Sequence, residues 1–475
     1  MKILFVAAEA IPFVKTGGLA DVAGSLPKSL IEEGLDVAVI LPKYQDIPEK
    51  FVDKMQYLLS FNITIGQINH YCGIFFMKIG EVNFYFIDNE YLYQRPGLYG
   101  YWDDGERFAF YVKAALDFMP LVNFKADIIH CHDWHSAMLP VLLVEQYKKL
   151  EYYKNMKSVL TIHNLKFQGI FTPDILKLFG LSFNLFNTES LEFFGNINYL
   201  KGGIFYADKV TTVSKNYAEE ICQEEYGEGI DGVLSKIKDK IEGIVNGIDT
   251  DIYNPKTDKS IVRNYTIRNF MSKVENKRAL QAEFNLEVDE SIPLFTMISR
   301  LTDQKGLDIF LPILDEFLQK DVQLFILGTG EKKYEEILKD VSRSYPNKFF
   351  FCNYFNESLA HKIYAAGDFF FMPSRFEPCG LGQLIAMRYG NIPIVRETGG
   401  LKDTVEAINI FTQKGTGITF AKYSKNDLRE AIKRSLELYE DKKLLLKIAA
   451  NAMKKDYSWK QSAKKYLNIY SELVE

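Results

Sequence analysis

Two basic residues five positions apart and one carboxylate are the groups in this chain best suited to chemistry on a sugar phosphate. They are Arg300 and Lys305 in Ser299-Arg-Leu-Thr-Asp-Gln-Lys-Gly306, and Glu377 in Ser374-Arg-Phe-Glu-Pro-Cys-Gly-Leu-Gly382. Arg300 leaves an apolar run and Lys305 enters a helix-like one, so two cations meet at one strand exit. That arrangement is costly unless an anion such as a pyrophosphate joins them. The Glu377 stretch is fed by Asp368-Phe-Phe-Phe-Met-Pro373 and left by Gln383-Leu-Ile-Ala-Met-Arg-Tyr389, which reads as strand, glycine-rich turn, helix. Such a turn aims free backbone N–H groups outward toward a phosphate, and Glu377 at its mouth could hold sugar hydroxyls. The plainer reading is a strand-to-helix connection with an exposed glutamate. No carboxylate pair of the glycosidase kind is evident, which disfavours simple hydrolysis.

Three further constellations lie in the first half. Lys15-Thr-Gly-Gly-Leu-Ala-Asp21 follows a first strand and opens a helix; its glycines let a ligand approach the backbone, and Lys15 adds a mobile positive charge. The spacing is that of neither a dinucleotide nor a Walker loop, and the alternative is a glycine pair packing the helix on the strand. His130-Cys-His-Asp-Trp-His135 invites a metal reading, since His130 and His132 share a strand face. A zinc site needs further ligands, however, and His163 and His361 lie in unrelated segments, so no metal is expected and a polar rim with Trp134 suits a carbohydrate better. In Thr161-Ile-His-Asn-Leu165, His163 ends a strand, from which it could donate to a substrate hydroxyl.

The elements that must position these residues alternate. Strands are predicted at 2–8, 35–41, 127–131, 158–163 and 209–213, with helices at 19–33, 106–121, 134–147 and 215–223 and a β-rich insert over 60–87. Around Ile244–Pro255 the character changes to Gly, Asn, Asp and Pro, and a second series follows. It has strands at 294–299, 322–327, 348–352, 368–372 and 392–395, and helices at 304–318, 332–341, 358–366, 425–438, 442–455 and 459–473. Both series look parallel and helix-covered, the α/β class, and 475 residues exceed what one core supports. Two doubly wound domains facing across a cleft are expected, with ligands at the carboxyl ends of the strands. The net charge of −5, without a basic block, argues against a nucleic-acid polymer as partner. The five cysteines lack C-x-x-C spacing, which suits reduced thiols in a cytoplasm. Glu9 cuts the N-terminal apolar run short, so neither export nor a membrane partner is expected.

With these stretches in hand the chain resembles the bacterial glycogen synthases and plant starch synthases. The resemblance rests on Lys15–Asp21, His132-Asp-Trp-His135, Thr161–Leu165, Ser299–Gly306 and Ser374–Leu381. Leu92-Tyr-Gln-Arg-Pro-Gly97, Thr212-Val-Ser214, Val245–Asp249 and Glu397-Thr-Gly-Gly-Leu-Lys-Asp403 add to it, in family order, over nearly the whole chain. It implies a GT-B fold: a first Rossmann-like domain over 1–245, a second over 246–457, and a final helix, 458–475, crossing back to the first. It also implies retaining transfer of glucose from a nucleotide diphosphate glucose, ADP-glucose or UDP-glucose, to the nonreducing-end 4-hydroxyl of an α-1,4-glucan such as glycogen. No cofactor or metal is implied. By matching position, Lys15 and Gly18 would contact the distal phosphate side, Arg300 and Lys305 would neutralise the pyrophosphate, and Glu377 would hold glucosyl hydroxyls. Cys379, Gly380 and Leu381 would form the donor turn, Gly380 and Leu381 through their backbone N–H groups; Tyr354 would stack on the base, and His163 would lie beside the glucosyl unit. Asp21, Tyr93, Asp133 and Asn164 would fall on the donor or acceptor rim.

Two positions depart from relatives. Gly382 stands where many have Thr or Ser, and Ile385 stands where other nucleotide-sugar transferases carry a second Glu. The latter favours the glucan synthase branch over a UDP-sugar enzyme with a small acceptor. A non-catalytic glucan-binding scaffold would show erosion of Lys15, His163, Arg300, Lys305 and Glu377, and all five are present.

Overall fold

Short apolar runs separated by amphipathic helices should build parallel sheets. In the computed structural model, which describes every residue except Phe355, they do so twice. The chain divides into two compact units, Met1–Gly247 with Trp459–Glu475 (unit 1) and Ile248–Ser458 (unit 2).

Unit 1 holds a nine-stranded sheet in the order Ile241–Gly243, Lys209–Thr212, Lys157–Ile162, Ile128–His132, Lys2–Val6, Asp36–Pro42, Val82–Asp88, Ile68–Ile79, Gln56–Ile65. The first seven are parallel neighbours, and numbered along the chain from one edge they run 3-2-1-4-5-6-7, a doubly wound order. The β-rich insert departs from an all-parallel sheet. Val82–Asp88 joins in parallel, while Ile68–Ile79 and Gln56–Ile65 add antiparallel at the edge. The helix Gly18–Glu32 buries Leu19, Val22, Ala23, Leu26 and Leu30, a stripe at helical spacing, and the chain turns at Gly34 with φ +92°. The last helix, Trp459–Val474, packs into unit 1. It buries Trp459, Tyr466 and Tyr470, and the Tyr470 hydroxyl bonds His130 Nδ1 at 2.7 Å.

Unit 2 holds six parallel strands in the order Phe349–Cys352, Gln323–Leu327, Leu294–Ile298, Phe369–Met372, Ile392–Arg396, Ile418–Phe420, which is 3-2-1-4-5-6. Phe295, Phe369 and Phe371 stack across its centre with ring centroids 5.0 and 5.2 Å apart. The predicted helix 304–318 is two pieces. A 3₁₀ turn, Asp303–Lys305, stops at Gly306 in the left-handed region (φ +76°), and the α-helix starts afresh at Leu307. Elements the apolar pattern does not announce include a three-stranded antiparallel sheet of very short strands in unit 1 and the helices Tyr199–Tyr206, Lys273–Glu283 and Gly399–Thr404. Among the described residues no helix is long and apolar enough to cross a membrane.

Candidate active site

In a doubly wound sheet the strand order reverses at one point, and loops leaving the carboxyl ends of the two strands there splay apart and leave a crevice. In unit 2 those strands are Leu294–Ile298 and Phe369–Met372. The first leads to Arg300 and Lys305 and the second to Ser374–Leu381.

These two loops are zipped together. Arg375 N–H donates to Gln304 O at 2.8 Å, and Gln304 Nε2 donates to Phe376 O at 3.2 Å. A Cβ on Gly306 would stand 2.1 Å from Pro373 O, so both its positive φ and this close approach require glycine. The outcome is an ion pair. Lys305 Nζ donates to Glu377 Oε2 at 2.6 Å, and Ser374 Oγ donates to the same oxygen at 2.9 Å, with Glu377 buried. Lys305, expected on a pyrophosphate, is thus seated on Glu377. Arg300 is exposed, and its guanidinium has no side-chain partner among the described residues.

Behind Glu377 the turn is braced by backbone. Gly400 N–H donates to Glu377 O at 3.0 Å, and Gln383 Nε2 donates to Cys379 O and Gly380 O at 3.0 and 2.9 Å. Gly380 sits at φ +74°, Cys379 is buried, and Leu381 caps the helix Gly382–Arg388. A Cβ at Gly382 would lie 3.0 Å from the Phe370 ring, a tight approach that a side chain could meet only with a small shift of that ring. Ile385 is buried in the hydrophobic core of unit 2. Tyr354 follows the strand Phe349–Cys352 and is 56% exposed, a ring open to stacking.

In unit 1 the strands at the reversal are Lys2–Val6 and Ile128–His132. The loop after the first is pinned by Glu9. This buried carboxylate accepts from the backbone N–H of Thr16 and from Thr16 Oγ1 (3.0 Å), while the Tyr99 hydroxyl lies 3.1 Å from the same Oγ1. Burial pushes the Glu9 carboxyl above its ordinary range, against the pull of these bonds. Lys15 Nζ pairs with Asp21 Oδ1 at 2.7 Å. A Cβ on Gly17 or Gly18 would meet no atom within 4 Å, and neither has a positive φ. Helix packing and backbone strain therefore do not explain the glycine pair, and the space above the backbone there is open.

Asp133 follows the second strand, in the left-handed region (φ +55°), and its Oδ1 accepts from the N–H groups of His163 (2.7 Å) and Asn164 (3.4 Å). It therefore ties together the ends of the strands Ile128–His132 and Lys157–Ile162. The Asn164 side chain accepts from Lys166 N–H at 3.2 Å. His163 Nε2 lies 3.0 Å from His132 Nδ1, and burial pushes the His163 imidazole down to about 3, so it is neutral at neutral pH. His130 is used on both nitrogens, by Tyr470 and by Thr161 Oγ1 (2.6 Å).

One assignment needs correction. Tyr93 is not on a rim but in the interior of unit 1, with its hydroxyl donating to Arg107 O at 3.0 Å. The wholly buried Arg107 in turn donates to Leu92 O and Leu98 O at 2.8 and 3.1 Å, so the Leu92–Leu98 loop is held from inside. Glu9, His132, Gln304, Ser374 and Gln383 are positioning residues that the motif reading passed over. The signal for Glu9 was its place directly after a buried strand; the others lie inside or beside the quoted motifs.

Burial also pushes the Asp133 carboxyl up to about 7 from its ordinary 3.8. Between those values the unfolded chain releases this proton and the folded chain keeps it, so stability falls as pH rises through that window. Asp133→Asn is expected to flatten this part of the stability–pH curve, as read from urea unfolding midpoints at about pH 5 and about pH 8. An unchanged slope would remove Asp133 as its source.

Comparison with known proteins places this geometry. A family model described as "Starch synthase catalytic domain" matches residues 2–236, and one for "Glycosyl transferases group 1" matches residues 280–455. The glycogen synthase of Alkaliphilus metalliredigens is 47% identical over 474 residues, covering 100% of both chains. That of Bacillus cereus is 48% identical over 476 residues, again covering 100% of both. Among solved structures, the catalytic domain of starch synthase IV from Arabidopsis thaliana, bound to ADP and acarbose, superposes with a TM-score of 0.93 at 32% identity, covering 100% of this chain and 99% of that one. A sucrose-phosphate synthase from Thermosynechococcus elongatus shares the fold, with a TM-score of 0.64 at 17% identity over 99% of this chain and 98% of that one. Two doubly wound units with these neighbours define a glycosyltransferase of the GT-B fold class. Within that class, the chain belongs to the glycogen synthase family.

Proposed function

We propose that this enzyme transfers glucose from ADP-glucose to the nonreducing-end 4-hydroxyl of an α-1,4-glucan, with retention of configuration and without a metal ion. The observation that carries the reading is the Lys305–Glu377–Ser374 cluster at the strand reversal of unit 2, with Arg300, exposed and without a side-chain partner among the described residues, at the exit of the strand that leads to Lys305. The complex of the Arabidopsis relative with ADP and acarbose supports the choice of donor nucleotide and of acceptor class.

Unit 2 binds the donor. Arg300 and Lys305 take the diphosphate oxygens, Gly380 and Leu381 offer backbone N–H groups, Cys379 shapes the turn, and Tyr354 stacks on the base. Glu377 holds glucosyl hydroxyls. Unit 1 supplies Lys15 to the distal phosphate side and Gly18 as open backbone, with Asp21 anchoring Lys15. His163 offers a neutral ring to the glucosyl unit, and Asp133 and Asn164 set the loop that carries it.

As the bond from C1 to the phosphate oxygen breaks, negative charge grows on the diphosphate and positive charge on the sugar ring. The two cations stabilise the leaving charge, the kind of contribution that is usually the largest single one. They supply what a divalent ion supplies elsewhere, so the transfer needs none. The acceptor O4 then bonds C1 from the same face, and its proton passes to the departing phosphate oxygen. All five cysteines are free thiols, which supports a cytoplasmic setting.

The test of linkage and donor is product analysis. Label from ADP-[14C]glucose is expected on glycogen and is expected to be released as maltose at the start of β-amylase digestion; UDP-[14C]glucose should be the poorer donor. Label on a small acceptor but not on glycogen would overturn the reading.

The Glu9 brace makes its own prediction. Hydrogen bonds to a charged group are worth ~1.5–3 kcal/mol, so Glu9→Gln should raise the donor KM by about tenfold and move kcat less. Steady-state kinetics at varied ADP-glucose checks it, and an unchanged KM would show that the Lys15 loop does not need this anchor.

A further inference from the structure

We propose that unit 2 carries a second anion site, distinct from the donor turn, built to take a small phosphate monoester. It is a cavity of about 250 Å³ at the far end of the helix Gly382–Arg388, lined by that helix and by the segment Ala452–Ser458. At ~30 Å³ per water this is room for about eight waters, enough for a sugar ring bearing one phosphoryl group.

The lining has two characters. Met387, Met453 and the ring of Tyr457 make an apolar side suited to a sugar face. Arg388, Lys454 and Lys455 bring positive charge against one carboxylate in the lining, Asp456, whose Oδ1 already accepts from Ser458 N–H at 3.0 Å. Lys455 is paired with Glu406, whereas Lys454 has no ion pair among the described residues. Arg388 is half-buried in this lining, and its side chain has no ion pair or hydrogen-bond acceptor among the described residues. An unpaired guanidinium at a cavity wall favours an anionic acceptor, which a phosphoryl group supplies.

The position gives such a ligand a line to the donor turn. Gly382–Arg388 opens at Leu381 and closes at the cavity, a single helix with no break. The lining also includes Ile248 and Ser458, the first and last residues of unit 2, which pair with each other as a parallel bridge. An occupant therefore touches both chain segments by which unit 2 joins the rest of the molecule.

The test uses the full chain with [methyl-13C]methionine, titrated with inorganic phosphate and then with ribose 5-phosphate, ribose serving as control. Met387 and Met453 report on the cavity and are assigned by M387L and M453L; Met372, at the end of the strand feeding the donor turn, reports on that turn. The expected result is a saturable shift of the Met387 and Met453 signals with both phosphates and not with ribose. In Arg388→Gln this response should weaken at least about tenfold while any Met372 response persists. Lys454→Gln, a change at an exposed residue, should weaken it as well and stands in if Arg388→Gln does not fold. Movement of Met372 alone, or cavity shifts that survive both substitutions unchanged, would overturn the proposal. Because the readout is a local methyl signal, failure here leaves the reading of the donor turn untouched.

Discussion

Lys305→Ala is expected to lower kcat by at least ~100-fold, as removal of one transition-state donor typically does. The structure adds a second consequence. Lys305 Nζ and Ser374 Oγ share one oxygen of a buried carboxylate, so the substitution leaves Glu377 without its counter-charge. Removing one member of a buried pair costs ~3–5 kcal/mol, and this pair, with some exposure on the Lys305 side, should lie at or below the lower end. Lys305→Ala should therefore lose both rate and stability, whereas Glu377→Ala should lose rate at a similar level through the sugar contact. Groups that act as a unit give strongly non-additive losses, so the double variant should be little slower than the worse single one. Single-turnover rates and urea midpoints for the three variants check this. Near-normal rates in both single variants would reject the site.

Arg300→Ala makes the contrasting prediction. Its guanidinium is exposed and has no side-chain partner among the described residues, so the fold does not depend on it and the unfolding midpoint should stay within error of the parent. Its expected work lies wholly on the departing diphosphate, and kcat should fall by ~10²–10³-fold. Arg300→Lys should recover only part of this, because an ammonium cannot present the planar fork that matches two phosphate oxygens. A stability loss comparable to that of Lys305→Ala, or full recovery by lysine, would show that Arg300 serves the fold or acts as a simple point charge.

The strands were legible because a buried parallel strand is a continuous apolar run, as in Phe369-Phe-Phe-Met372. The direction of pairing was not. Ile68–Ile79 and Gln56–Ile65 have ordinary strand patterns, and only the tight turn between them tells that they run antiparallel. The break at Gly306 was hidden for another reason. Asp-Gln-Lys before it and Leu-Asp-Ile-Phe after it both suit a helix, and it is the approach of Pro373 O, from a segment far along the chain, that leaves no room for a side chain at this left-handed position.

Among site residues, Arg300 stood out as leaving an apolar run, Lys305 as entering a helical one and Glu377 as sitting at a glycine-rich turn, and the structure sets all three in loops that follow strands of unit 2. Tyr93 was misplaced because Leu-Tyr-Gln-Arg-Pro-Gly has the composition of a surface loop, while its burial depends on the helix Asp104–Leu121 and the interior Arg107 beneath it. Glu9 was read only as the end of an apolar run. Its contact with Thr16 closes a loop of seven positions that is neither helix nor strand, so no periodicity marks it.

Metal-free glucosyl transfer by two cations and a carboxylate is tested most directly by label transfer from ADP-[14C]glucose to glycogen in excess EDTA. The expected rate equals that without chelator and is lost on Arg300→Ala. Transfer abolished by EDTA and restored by a divalent cation, or a rate indifferent to Arg300, would contradict it.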